Sequence, residues 1–262
     1  MSAATPAATL PCSVVLITKD AAAYLPQVLS ALTWADDLLV VDSLSADATV
    51  AIAEAHGARV ISQAFLGFGP QKRLAVAAAR HDWVLNIDAD EVLDEAAQAA
   101  IRALPFASMD PKRCFVIRRR TFIGSREIRH GAWNPDWSLR LFNRQCANFD
   151  EAPVHEIVHT AQPPQRLAGS MLHYSFRDLA DVFKPQYARV KAAKYVAKGR
   201  RAGNCTLLLR FMWAFFASYV LKRGFLDGGP GLIVAVSHAL NHSLGLALAS
   251  AVLRGESNLE QL

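Results

Sequence analysis

Four carboxylates crowd the end of one apolar segment, WVLNIDADEVLD, at residues 83–94. They are Asp88, Asp90, Glu91 and Asp94. Carboxylates at this spacing repel one another unless a positive charge lies among them. Asp88 and Asp90 are two residues apart, so both can face one cation, or one can bind it through water. Hard oxygen ligands with open positions suit Mg²⁺ or Mn²⁺ shared with a diphosphate, and we predict such a metal site here.

Calcium-binding loops and helix N-termini also concentrate carboxylates. An EF-hand loop is excluded, because no glycine follows at the sixth position and no suitable glutamate at the twelfth. A charge cluster at a helix N-terminus accounts for Asp94 and Glu95. It does not account for Asp88, which closes an apolar run.

Apolar β-branched runs alternate with helical patterns along the first hundred residues. The predicted strands are 12–18, 36–42, 58–62 and 83–88, and the predicted helices are 25–32, 45–57, 70–80 and 94–104. The second helix has Ser45 or Asp47 as its expected cap. The alternation predicts an α/β fold with a mostly parallel, Rossmann-like sheet and helices on both faces. Further strands at 113–124, 138–144 and 171–176 extend this sheet and form the other wall of a cleft.

Polar side chains follow three of the predicted strands. They are Thr18 and Lys19, Asp42 and Ser43, and Asp88 and Asp90. Ligands of parallel sheets bind beyond the carboxyl ends of the strands, so these residues converge on one binding edge. Asp42 can accept hydrogen bonds from a ribose or a base, although a turn or helix cap uses the same residue type. Lys72, at the start of a helix, can meet phosphate or remain a solvated charge.

The C-terminal third is basic and then strongly apolar. No acidic residue occurs between Asp181 and Asp227, a stretch that holds ten lysines and arginines. A segment whose charged residues are all positive favours an anionic partner. The alternative is a helix face exposed to solvent. The apolar runs 207–221 and 231–253 are interrupted by Arg210 and by histidines. We expect helices that pack together or lie in a membrane interface, with a transmembrane hairpin as the alternative.

These patterns divide the chain into three predicted parts. Residues 1–11 form a disordered lead-in without the basic and apolar regions of a signal peptide. Residues 12–176 form the α/β domain, and residues 177–262 form a helical, membrane-associating extension.

A set of segments, in order along the chain, resembles the inverting family 2 glycosyltransferases with the GT-A fold. The segments are TKDAAAYL, VVDSLSADAT, GFGPQKRLA, WVLNIDADE, WNPDWSLRLFNR, PVHEIV and KRGFLDGGPGL. The resemblance is greatest to the bacterial lipopolysaccharide-core branch, typified by β-1,4-glucosyltransferases that act on inner-core heptose. It covers almost the whole chain.

The resemblance implies roles for several residues. Asp88 and Asp90 would hold a divalent metal on the diphosphate of a nucleotide sugar, and Thr18 and Asp42 would contact the nucleoside. This sequence departs from the family pattern in two places. Asp20-Ala21 stands where the family usually has Asn-Glu, and Leu44 and Ala46 replace Gly and Thr in the loop after Asp42.

An inverting transfer needs a general base near the acceptor hydroxyl. Glu156 is the first candidate, and Asp136 and Glu91 are the others. His155 can complete the metal shell, or it can be an ordinary hydrogen-bonded histidine. Arg140 can bind the diphosphate or orient a carboxylate.

The sequence as a whole therefore predicts a metal-dependent inverting glycosyltransferase. Its donor would be a nucleotide sugar, expected to be UDP-glucose, and its acceptor a lipopolysaccharide core or another lipid-linked glycan. We expect the protein at the cytoplasmic face of the inner membrane, in contact with anionic lipid and not with nucleic acid. The alternatives are an anionic-lipid binding protein with a degenerate transferase domain and a nucleotidyltransferase.

Overall fold

The computed structural model describes residues 9–151 and 156–258. The chain forms two compact units. The first comprises the residues up to Arg120 together with Asp136–His173, and the second comprises Thr121–Pro135 and the residues from Tyr174 onward. The predicted division at residue 176 stays a prediction.

Within the described residues, the first unit contains most of the strands and four short helices. Its strands are β1 (Leu10–Thr18), β2 (Ala35–Asp42), β3 (Arg59–Ser62), β4 (Trp83–Asn86), β5 (Glu91–Leu93), β6 (Cys114–Ile123), β8 (Asp136–Asn143), β9 (Asn148–Phe149), β10 (Val158–His159) and β11 (Gln165–Phe176). The last three residues of β6 and of β11 belong to the second unit, which also holds the short strand β7 (Arg126–Glu127). The helices of the first unit are α1 (Leu25–Ser30), α2 (Thr49–Ala55), α3 (Phe68–Ala77) and α4 (Glu95–Arg102).

The main sheet has the order β3-β2-β1-β4-β8-β6-β11-β5, with β7 paired to β6. Strands β3, β2, β1 and β4 run parallel, whereas β8 pairs antiparallel with both β4 and β6, and β5 pairs antiparallel with β11. The predicted α/β class is confirmed. The sheet is mixed, however, because the strands after residue 110 return antiparallel and do not continue the parallel series.

The core of the first unit lies between the parallel strands and α3. Val15, Leu39 and Val84 of three neighbouring strands are fully buried and cluster with Ala75 and Val76 of α3. The small alanine side chains of α3 let its backbone approach the sheet closely, so Lys72 on the same helix reaches the carboxyl ends of the strands. Buried aliphatic side chains of this kind each stabilise a fold by about 1.5–3 kcal/mol.

One predicted helix begins later than expected. Helix α2 starts at Thr49, and neither Ser45 nor Asp47 serves as its N-cap residue. The hydroxyl of Ser45 instead donates to Asp42, while Asp47 accepts hydrogen bonds from the backbone N–H and hydroxyl of Thr49. The residues predicted as a cap therefore form the loop at the end of β2.

The second unit is mainly helical. Its helices are α5 (Gln186–Ala197), α6 (Asn204–Phe216), which continues into a π-helical turn at Ala217–Leu221, and α7 (Gly228–Arg254). Gly245 lets α7 approach α5 closely, because a Cβ there would lie 2.7 Å from the Cβ of Lys191. Ring stacking of Trp133 on Phe176, with centroids 5.0 Å apart, anchors a second cluster that includes Val234.

Two helical segments of the second unit, Asn204–Leu221 and Gly224–Arg254, are long and apolar enough to cross a membrane by length and composition alone. The first is barely covered by the rest of the protein, with only 6% of it buried. Its exposed apolar side chains include Leu208, Leu209, Met212 and Trp213. Exposed apolar area of this extent marks a surface that meets a partner or a lipid phase.

Candidate functional site

Asp88 lies between two buried cations just beyond the end of β4. One carboxylate oxygen is 2.6 Å from Nη2 of Arg140, and the other is 3.0 Å from Nζ of Lys72. Burial raises the pKa of the Asp88 carboxyl, but Arg140 and Lys72 outweigh this and hold that pKa well below its usual range. The positive charge beside Asp88 therefore comes from side chains of β8 and α3. The sequence predicts a divalent cation at this place.

Glu91 is the most deeply buried carboxylate of the cluster. It is fully inaccessible, its Oε1 is 2.5 Å from Nη2 of Arg140, and Arg119 lies 3.5 Å away. Arg119 also donates to Asp136 and so extends the ion-pair chain along β6 and β8. A buried carboxylate held by two guanidinium groups cannot reach an acceptor hydroxyl, and this geometry assigns Glu91 to the support of Arg140 and Arg119.

Asp90 has a different environment from its neighbours. Its side chain is 37% exposed, and Oδ2 lies 3.5 Å from Nε2 of His173 on β11. This proximity follows from the sheet, because β5 and β11 pair with His173 opposite Glu91. An accessible carboxylate beside an imidazole is a donor pair that suits a divalent cation. Within the described part of the chain, no three His, Cys, Asp or Glu side chains are grouped closely enough to bind a metal by themselves.

Glu156 and Lys72 form a second contact of the network. Nζ of Lys72 donates to Oε1 of Glu156 at 2.6 Å, and Lys72 itself is only 4% exposed. Glu156 and Asp88 therefore both form ion pairs with Lys72. The neighbouring His155, predicted as a metal ligand, lies outside the described residues.

The strand-end residues Thr18 and Asp42 are side by side, as their positions at the ends of β1 and β2 predict. The Thr18 hydroxyl donates to Asp42 at 2.8 Å, and the backbone N–H and hydroxyl of Ser45 donate to the same carboxylate. Asp42 is only 1% exposed, so in this structure it organises the loop that follows β2. Its predicted contact with a nucleoside stays a prediction.

Several hydrogen bonds connect this loop to the neighbouring elements. Lys19 donates from Nζ to the carbonyl oxygen of Leu44, and Gln71 of α3 donates to the hydroxyl of Ser43 at 3.2 Å. Gln71 is fully buried and precedes Lys72 in the chain. The predicted site residues thus form two clusters, and adjacent residues of α3 contact one cluster each.

A cavity of about 800 Å³ lies over the carboxylate cluster. Its lining includes Lys72, Asp88, Asp90, Arg140, Glu156 and His173. A volume of this size is within the range of small-molecule and cofactor sites. The cavity combines an accessible carboxylate and an imidazole, which are ligand types for a divalent cation, with the buried cationic side chains of Lys72 and Arg140.

The sequence profile of the family described as "Glycosyl transferase family 2" matches residues 13–164, which hold every residue of this cavity except His173. The chain belongs to glycosyl transferase family 2. An uncharacterized glycosyltransferase of Rickettsia bellii is 30% identical over 249 residues, covering 90% of this chain and 84% of that protein. The predicted family and the predicted enzyme class are confirmed.

Another relative of this family 2 enzyme has a more specific name. The lipopolysaccharide core biosynthesis glycosyltransferase LpsC of Rhizobium meliloti is 28% identical over 247 residues, covering 86% of this chain and 89% of that protein. Among solved structures, glucosyl-3-phosphoglycerate synthase of Mycobacterium tuberculosis in complex with uridine diphosphate is 26% identical, with a TM-score of 0.33 over 46% of each chain. TarS of S. aureus is 16% identical, with a TM-score of 0.42 over 82% of this chain and 45% of that one.

Two residues of this site were missed by the sequence reasoning. His173 was predicted to lie in a strand, but nothing in the local sequence shows that this strand pairs beside Asp90. Arg119 lies in the run RRR, which is typical of a charged surface. In the structure its guanidinium group instead forms ion pairs with both Glu91 and Asp136. Both depend on pairing between distant segments, which a single sequence does not encode locally.

Proposed function

We propose that this family 2 enzyme transfers a hexose, glucose from UDP-glucose, to a lipopolysaccharide core or another lipid-linked glycan with inversion at the anomeric carbon. The observation that carries the proposal is the cavity in which Asp90, His173, Lys72, Arg140 and Glu156 meet. The name of the Rhizobium meliloti relative supports the class of acceptor.

The donor set fits a divalent cation, Mg²⁺ or Mn²⁺. Asp90 and His173 would hold it, because their oxygen and nitrogen lie 3.5 Å apart at an accessible position. Asp88 already contacts two cationic side chains and would act at longer range. A mixed oxygen and imidazole pair favours Mn²⁺ over Mg²⁺. When bound, the ion would neutralise charge on the diphosphate leaving group.

The chain's own residues supply the remaining chemistry. Lys72 would bind a phosphate oxygen beside the Asp88 carboxylate that it contacts, and Arg140 holds Asp88 and Glu91 in position. Glu156 is the proposed general base: it takes the proton of the acceptor hydroxyl as that oxygen bonds to the anomeric carbon. The bond from that carbon to the phosphate oxygen breaks, and UDP leaves. Asp136 lies against Arg119 and is the second candidate.

The second unit supports a location at the membrane. Its exposed apolar residues on α6 and its run of lysines and arginines without acidic residues suit the surface of an anionic bilayer. We propose peripheral attachment to the cytoplasmic face of the inner membrane. Family membership opposes the nucleotidyltransferase alternative. The accessible Asp90 and the partly exposed Glu156, both at the cavity, oppose a degenerate transferase.

Isothermal titration with UDP, with and without Mn²⁺, tests the proposal. We expect Mn²⁺-dependent binding that Asp90→Asn weakens by about tenfold or more, the cost of losing a charged ligand. Asp94→Asn is the matched control, because Asp94 belongs to the same cluster but caps α4, a role that asparagine retains. Equal UDP binding by wild type and Asp90→Asn would contradict the metal assignment. Transfer of glucose from UDP-glucose, lost in Glu156→Gln, then tests the reaction.

A further inference from the structure

The second unit contains a cavity of its own, of about 350 Å³. The small side chains of Ala214 and Ala217 leave room for it, and Arg210, Lys222, His238 and His242 face it. No aspartate or glutamate lines this cavity among the described residues. It is therefore a space with several nitrogen donors and no acidic group to balance them.

Arg210 is the central cation of this cavity. Its Nη2 donates to the hydroxyl of Tyr195 on α5 at 2.5 Å, and that hydroxyl lies 3.2 Å from Nδ1 of His242 on α7. Its Nε is buried and has no hydrogen-bond partner in the described structure. The three helices thus fix the guanidinium group through a neutral phenol and leave most of its five donors unused.

A partly buried guanidinium group without a carboxylate is costly to desolvate. The hydroxyl of Tyr195 and its ring, whose centroid lies 5.1 Å from the guanidinium carbon of Arg210, offset part of this cost but add no negative charge. Arg140 of the first unit shows the usual solution, since two carboxylates contact it. Around Arg210 the potential is positive instead. Burial, together with Arg210 and Lys194, lowers the pKa of Lys191 to about 8. Burial, His242 and the nearby lysines lower the pKa of His238 to about 3.

Apart from Ser218, the rest of the lining is apolar. Trp213 borders the cavity, and its side chain is 63% exposed. Leu209 and Met212 on the same helix are exposed as well. A free inorganic anion would use the cations and leave this apolar surface uncovered. A ligand with an anionic group and a hydrocarbon chain would use both.

We propose that this cavity binds the phosphate group of an anionic amphiphile, with Arg210 and Lys222 as its main donors and the hydrocarbon chain along the exposed side of α6. The inference deepens the lipid-partner part of the proposed function and takes its biological meaning from it. Its test needs neither nucleotide nor sugar transfer, so UDP titration reports separately on the transferase site.

The test is isothermal titration of the full chain with dihexanoyl phosphatidate as the probe, below its micelle concentration. The salt concentration is about 0.5 M NaCl, at which diffuse surface attraction is largely screened. Parallel titrations use inorganic phosphate and dihexanoylglycerol, which carry only the anionic group and only the chains. We expect phosphatidate to bind at least about tenfold more tightly than either, since it satisfies both parts of the cavity.

Three variants locate the binding. Arg210→Gln removes the central cation, and Ala217→Leu fills the cavity without changing charge; each should weaken phosphatidate binding by about tenfold or more. Arg200→Gln removes the same charge from an exposed position outside the cavity and should bind as wild type does. Ala217→Leu keeps the test decisive if Arg210→Gln unfolds.

Several results would overturn the proposal. Unchanged phosphatidate binding in Ala217→Leu would show that the ligand does not enter the cavity. Equal losses of phosphatidate affinity in Arg200→Gln and Arg210→Gln would show that the ligand is attracted only by the basic surface of the protein. Equal affinity for inorganic phosphate would make this a site for free anions, and equal affinity for dihexanoylglycerol a site for apolar chains.

Discussion

At the scale of single residues, the two aspartates of the DAD segment have different surroundings. Replacing each of them should therefore have a different effect on the stability of the protein. Asp88 contacts Arg140 and Lys72, both nearly inaccessible, whereas Asp90 is 37% exposed. We expect Asp88→Asn to lower the free energy of unfolding by about 2 kcal/mol, because two buried cations lose a charged partner. Asp90→Asn should change it by less than about 0.5 kcal/mol.

Urea unfolding of the two variants beside wild type measures this difference. Because both substitutions are the same chemically, each serves as the other's control. Equal destabilisation would show that Asp88 is not a structural member of the network. A large effect of Asp90→Asn would show that Asp90 has a structural partner beyond His173.

Leu44 has a backbone conformation that residues other than glycine rarely adopt. Its φ is +61°, in the left-handed region, and its side chain is 58% exposed. The left-handed conformation costs a residue with a Cβ about 1–2 kcal/mol, and glycine avoids that cost. The glycine that the family usually has at this point of the loop is therefore explained by the backbone of this chain.

Replacing Leu44 by glycine should therefore stabilise the protein. We expect Leu44→Gly to raise the free energy of unfolding by about 0.5–1 kcal/mol, after the entropy cost of an added glycine in the unfolded chain. Leu44→Ala is the control, because alanine removes the side chain but retains the Cβ and its strain. A gain in Leu44→Ala as large as in Leu44→Gly would place the effect in the side chain instead. Urea denaturation measures all three proteins.

At the scale of elements, Asp37 of β2 joins three of the four parallel strands, β1, β2 and β3, at the end of the sheet away from the candidate site. Its buried carboxylate accepts hydrogen bonds from Ser13 of β1, from Arg59 of β3 and from the backbone N–H of Arg80 after α3. Burial raises the pKa of Asp37, but these hydrogen bonds bring it below its usual range. The carboxylate is therefore an anchor for strand alignment.

Replacing this anchor should weaken the sheet. We expect Asp37→Asn to lower the free energy of unfolding by about 3 kcal/mol, because Arg59 loses its charged partner in a buried position. The folded pKa lies below the unfolded value of about 3.9, so this stability is present above pH ~4 and disappears as pH falls through the folded pKa. Unfolding measured from pH 7 down to about pH 3 should thus decline less steeply for Asp37→Asn than for wild type. Equal slopes of the free energy of unfolding against pH in the two proteins would contradict this role of Asp37.

The elements also show which parts of the fold can be predicted locally. Strands β1, β2 and β4 are apolar, β-branched runs and were predicted nearly at their observed bounds. Strand β5 has three residues and begins with Glu91, so the local sequence indicates a polar turn. The strand is recognisable only from its pairing with β11. The same pairing brings His173 to Asp90, and strand β8 brings Arg140 to Asp88. The carboxylates are visible in a local segment, whereas their partners depend on long-range pairing.

At the scale of the whole molecule, the exposed apolar residues of α6 should decide whether the protein binds membranes. Leu208 and Leu209 are 64% and 69% exposed, so both can enter a bilayer interface without loss of internal packing. Burying a leucine contributes about 1.5–3 kcal/mol, and changing both to glutamine should weaken binding to phosphatidylglycerol vesicles by about tenfold or more. Thermal unfolding should stay unchanged, because neither side chain belongs to the core.

The matched control for this variant is Phe65→Gln with Leu66→Gln, a pair of apolar residues of the first unit that are 53% and 48% exposed. If binding follows the total exposed apolar area, both double variants lose affinity equally, and α6 has no special role. If α6 is the membrane-binding element, only the Leu208 and Leu209 variant fails to float with vesicles, and the control floats like wild type. Peripheral binding further requires that carbonate at high pH releases the wild-type protein, since a transmembrane hairpin would stay with the lipid.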